Sequence, residues 1–135
     1  MNRYEQREQA FLLIFESTFK DESLEEIIKS AQLARDLEIS NFSIRAFNGV
    51  KQHKDEIDEL IDNNSIGWKR NRLSRVMLSA LRLSIYEMLY EKDIPQSVSI
   101  NEAINLVKLY GSQKDASFIN GILSGVYKEM NTKHE

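Results

Sequence analysis

Asp93-Ile94-Pro95, then Ser99-Ile100-Asn101-Glu102-Ala103, then Tyr110-Gly111, then Phe118-Ile119-Asn120-Gly121-Ile122-Leu123 follow one another in the last third of the chain. Their physical reading is a turn, a capped helix, a glycine stop and a second helix. Pro95, the only proline, restricts Ile94 and breaks any helix arriving from upstream. Ser99 and Glu102 stand at capping-box spacing, each side chain able to satisfy an orphan amide at a helix start. Val98 takes the staple position. Ala103, Ile104, Val107 and Tyr110 recur at three- and four-residue steps, which gives one apolar face. Gly111 falls where helices commonly end in a left-handed residue.

Upstream, the same periodicity predicts more helices. Residues 72–90 carry Leu73, Val76, Met77, Ala80, Leu81, Ile85 and Met88, with Leu78, Leu83 and Leu89 on other sides. Apolar residues nearly all round imply neighbours on several faces. Residues 3–18 present Ala10, Phe11, Ile14 and Phe15, with Arg3 and Arg7 together on another side. Ser23 and Glu26 form a second capping box before Leu24, Ile27 and Ile28. Ser40 or Asn41 caps a helix expected to run to about Asp62, with Phe42, Phe47, Val50, Ile57 and Ile61 inward. Gly49 inside it costs about 1 kcal/mol against alanine, which points to close packing with another helix. The acids from Lys54 to Asp62 read as a solvated face, and His53 as a solvated side chain. Asn63 to Gly67 reads as a loop before Trp68, and residues 130–135 as a frayed tail.

One domain is expected from 135 residues, and one proline with five glycines argues against an all-β fold. Without cysteine there is no disulfide framework and no thiolate zinc site. No run approaches the roughly 20 apolar residues of a membrane span, and Met1 to Glu5 is not a signal peptide. A reducing cytoplasm is the expected compartment. Net charge is −3 but uneven. Residues 1–62 hold 8 Lys/Arg against 14 Asp/Glu, whereas residues 63–135 hold 10 against 7. Lys69, Arg70, Arg72, Arg75 and Arg82 lie between Asp62 and Glu87 with no acid among them. They make either a basic region for nucleic acid or a solvated helix end.

An enzyme would need a nucleophile with its base, a metal cluster, paired carboxylates in a cleft or a phosphate-cradling glycine loop. None is legible, so neither catalysis, a cofactor nor a metal site is expected. Groups suited to RNA do occur near the start of the last helix. Lys114 could meet a phosphate, Ser117 and Asn120 could make polar contacts, and Phe118 could stack on a base. Phe118 could equally be a core residue, and Asn120 a helix-packing group.

The blocks at 93–123 resemble the C-terminal signature of the NusB family: D-I-P, V-x-I-N-E-A-x-x-L-A-K-x-F-G and F-[VI]-N-G-[VI]-L. Asp93-Ile94-Pro95, Val98, Ile100 to Ala103, Leu106, Lys108, Gly111 and Phe118 to Leu123 reproduce it, with Val107 for alanine and Tyr110 for phenylalanine. Trp68, Arg72-Leu73, Leu81 to Ser84 and Tyr86-Glu87 resemble the family's central helix. The resemblance covers essentially the whole chain. It implies an all-α domain of six to seven helices in two packed three-helix bundles, without enzymatic activity. It further implies an RNA-binding transcription antitermination factor that recognises boxA RNA with the ribosomal protein NusE and joins RNA polymerase and other Nus factors. The implied RNA surface combines Arg3 and Arg7, from the family's R-R-x-A-R-E segment, with Lys114, Ser117, Phe118 and Asn120. Tyr4, Glu5 and Gln6 depart from that segment, so its phosphate contribution is expected to be weak. The implied partner surface holds Phe15, Arg75, Met77 and Leu78; the family often has an acidic-basic pair where the last two stand. The alternative is a helical protein-interaction module, as a monomer or homodimer, with little RNA affinity.

Overall fold

The computed structural model describes residues 1–20, 22–35, 38–67 and 69–132, the side chains of 31–35 and 71 excepted. Seven α-helices follow in order: α1 (Arg3–Ser17), α2 (Leu24–Arg35), α3 (Asn41–Gln52), α4 (Lys54–Asn64), α5 (Arg75–Tyr90), α6 (Gln96–Tyr110) and α7 (Gln113–Thr132). A 3-10 turn at Arg70–Arg72 precedes α5. There is no strand among the described residues. Trp68 lies outside them.

The all-round apolarity of α5 is met by neighbours on every side. It touches α1 and α3 of a first bundle, whose third member is α2, and α4, α6 and α7 of a second. Leu81, Leu83, Ile85 and Met88 are fully buried, and apolar residues of all seven helices join them in one cluster. α1 runs antiparallel to α5: Arg7 pairs with Glu87, and eleven residues later the Thr18 carbonyl accepts from Arg75. α3 comes closest to α5 at Gly49, where a Cβ would stand 2.1 Å from the Tyr86 ring. The expectation of close packing at this glycine is met.

Several element ends differ from the sequence reading, each for a local reason. The helix expected from residue 41 to 62 is two helices, broken at His53 (φ −109°, ψ 23°). The His53 ring stacks on Tyr90 at 4.1 Å, so it is only partly solvated. Ser40 caps α3, accepting from the Ser43 amide. Residues 70–72 form the 3-10 turn and Ser74 caps α5. α6 begins directly after Pro95, so Ser99 is not a cap; it lies inside the helix, and its hydroxyl donates to Glu87 at 2.9 Å. Val98 is exposed rather than a staple. Gly111 ends α6 at φ −123°, outside the left-handed region. Of the box at Ser23, the bond from the Glu26 amide forms. Residues 130–132, expected to fray, belong to α7 with Met130 buried; the rest of the expected tail, 133–135, lies outside the described residues.

The acidic face of α4 is only partly solvated. Asp58 is buried and accepts from Arg82 at 3.0 Å through each oxygen, and from Arg70 as well. Arg70 also reaches Asp62. Two of the five clustered cations are therefore structural. Arg82 ties α5 to α4, and Arg70 ties the 3-10 turn to α4.

Candidate nucleic-acid interface

A groove of about 460 Å³ opens between the start of α5 and the first turns of α7. Buried Leu73 and Met77 and half-buried Phe118 supply its apolar lining. Arg72, Ser74, Lys114 and Ser117 line it as exposed polar groups, with half-buried Asp115 beside them. Ser112 caps α7 by accepting from the Asp115 amide at 3.1 Å, which fixes the turn that carries Lys114. Arg72 and Lys114 enter no ion pair among the described residues. The groove thus offers an aromatic ring, two available cations and two hydroxyls, a combination suited to an unpaired nucleotide.

Lys114, Ser117 and Phe118 were expected here and are brought together. Asn120 is exposed on α7, outside the groove lining. Met77, expected at a partner surface, lines the same groove. Sequence reasoning passed over Arg72 and Ser74 as contacts. Arg72 carried a signal, as one of five cations without an intervening acid.

The N-terminal arginines lie elsewhere. Asn2 and Glu5 form a reciprocal capping box at the start of α1, so Glu5 serves the helix end. Arg3 is exposed, its guanidinium 4.4 Å from the centre of the Phe42 ring. Arg7 departs from the expectation of an RNA contact. Its side chain is 6% exposed and grips Glu87 with two bonds of 2.9 and 3.0 Å. As the fifth residue of α1, which lies on α5, the arginine points inward to a carboxylate and not outward to solvent. Glu87, with Ser99 as its other donor, is the structural acid that the sequence left open.

Arg3 stands at the C-terminal end of α5, near the cluster of Arg45, Glu91 and Tyr86. Arg45 grips Glu91 at 2.8 and 2.9 Å and Tyr86 donates to it at 2.7 Å. The bond from Arg45 holds the Glu91 carboxyl below its usual range, and burial with the bond to Glu91 pushes the Tyr86 hydroxyl up. The groove stands at the other end of α5. The 16 residues of α5 span about 24 Å, so the two cationic ends are separate.

An aromatic row runs between them. Tyr110 packs on Phe11 at 5.2 Å, Phe11 on Phe15 at 6.3 Å and Phe15 on Phe19 at 5.0 Å. Arg75 lies over Phe19 at 4.5 Å. Phe15 and Arg75, expected to meet a partner, therefore adjoin each other through Phe19. Leu78 is half-buried against the core. A second groove, about 500 Å³, lies between Gln96, Ser97 and Ile100 of α6 and Ser124, Tyr127 and Lys128 of α7, and none of the expected site residues lines it.

The model of the NusB family matches residues 4–128. A transcription antitermination protein NusB from Clostridium novyi is 39% identical over 132 residues, spanning 95% of this chain and 99% of its own. The solved NusB of T. maritima superposes with a TM-score of 0.84 at 37% identity, covering 96% of this chain and 92% of its own. A chain from a crystal structure of antitermination factors NusB and NusE in complex with double-stranded RNA gives 0.82 at 27% identity, covering 96% and 99%.

Proposed function

Because the chain belongs to the NusB family, we propose that it is an RNA-binding transcription antitermination factor working with NusE. The observation that carries this reading is the groove in which Arg72, Lys114 and Ser117 surround Phe118. Its RNA is a boxA-type single strand: the cations take the phosphates and position the strand, while Phe118 and Ser117 meet exposed bases. Phe15, Phe19 and Arg75 form the surface offered to NusE, and Met77 sits at the border of the two. The mechanism is assembly. Each protein contributes part of the RNA surface, so affinity rises when both are present. The complex joins RNA polymerase and other Nus factors in the cytoplasm to suppress termination.

Binding of a boxA-type strand and a scrambled control, with and without NusE at two salt concentrations, tests this. Selective binding strengthened by NusE and weakened in Lys114→Gln is expected. Equal binding of both strands would overturn it. The burial of Arg7 favours a second reading, a protein-interaction module with little RNA affinity; NusE binding without RNA selectivity is its signature.

A further inference from the structure

Tyr110 is a large aromatic left 41% exposed, and the family pattern has phenylalanine at its place. Two of its contacts fix the ring. Its ring packs on Phe11 at 5.2 Å, and its hydroxyl donates to Glu8 Oε2 at 3.1 Å. The second contact needs the hydroxyl, so a phenylalanine could not make it. A ring fixed in this way loses little side-chain freedom when a flat group settles on it.

Its position matters as much as its exposure. Glu8 and Phe11 lie on α1 between Arg3 and Phe19. On the other side, Tyr110 precedes the groove residue Lys114 by four positions. A strand reaching from Arg3 to the groove must pass the level of α1 where Tyr110 stands. The exposed charges nearest in sequence are cationic, Lys108 and Lys114, while the Glu8 carboxylate is engaged by the tyrosine hydroxyl. Leu109 is exposed beside it, and the ring continues the aromatic row that ends at exposed Phe19.

We propose that Tyr110 is a stacking platform for one base of a bound single-stranded RNA, midway between the Arg3 end and the groove. The inference rests on the RNA-binding reading above. It adds a contact that is uncharged and tolerant of base identity.

The test uses the full chain, a boxA-type strand and its scrambled control, with Tyr110→Leu and Tyr110→Phe compared at two salt concentrations. Tyr110→Leu is expected to weaken binding roughly tenfold with an unchanged salt slope, because no phosphate contact is lost. Tyr110→Phe keeps the ring and is expected to retain most of the affinity. Thermal unfolding of each variant is followed in parallel. Should Tyr110→Leu fail to fold, photocrosslinking of the wild-type chain to a bromouridine-substituted strand decides, with an adduct at Tyr110 expected. Wild-type binding with no loss in Tyr110→Leu, or adducts only elsewhere, overturns the inference and leaves the RNA reading intact. Loss of NusE binding with RNA affinity retained makes Tyr110 a protein contact and overturns it too. Absence of selective RNA binding by the wild type removes the RNA reading itself, and the inference with it.

Discussion

With both side chains nearly out of solvent, Arg7 and Glu87 depend on each other. Arg7→Met leaves a buried carboxylate with only Ser99 as donor, so a loss of about 3–5 kcal/mol is expected in denaturant unfolding. The RNA salt slope of whatever remains folded should not change, since no phosphate contact is removed. Gly49→Ala forces its new methyl into the Tyr86 ring. A cost of about 1–3 kcal/mol is expected from such overpacking, measured in the same way. Glu91 supplies a pH dependence. Its carboxyl is lowered from 4.5 by Arg45, so its contribution is present above that value and is lost as pH falls through the folded one. Glu91→Gln should therefore flatten the acid side of a stability-pH profile; an unchanged profile would assign that dependence to other carboxyls.

Helix existence was legible because the periodic apolar residues of α1, α5, α6 and α7, exposed Tyr110 excepted, become buried or half-buried, and because Pro95 and Ser40 mark real starts. Helix ends were less legible where a distant residue takes the signal. Ser99 has the spacing of a cap, yet its hydroxyl serves Glu87 from another helix, and no local pattern reveals that. His53 breaks a run with neither glycine nor proline at the break; the stacking with Tyr90 that accompanies it joins residues 37 positions apart. The site divided in the same way. Lys114, Ser117 and Phe118 share one helix turn and could be read together, whereas Arg72 and Ser74 meet them only through packing of α5 on α7. Ser112 is where element and site join. Ser112→Ala should cost about 1 kcal/mol of stability and, by loosening the turn that holds Lys114, weaken RNA binding as well.

Across the whole molecule, Arg3 and the groove occupy opposite ends of α5. Substitutions at such distances add, so Arg3→Gln and Lys114→Gln together should weaken RNA binding by the product of their separate factors. Each should lower the salt slope by about 0.7 if it meets a phosphate. A combined loss smaller than that product would mean that the two contacts are coupled, and no loss from Arg3→Gln alone would mean that the groove end engages the strand by itself. The antiparallel seating of α1 on α5 has a further consequence. The connection from α4 to α5, between Asn64 and Arg75, holds neither Arg7 nor Glu87. A split made there yields two fragments, one keeping α1 to α4 and the other α5 to α7, each with a bare apolar face shaped by its missing half. Mixed together, the two should reconstitute the native circular dichroism and a shared unfolding transition, with neither reaching it alone.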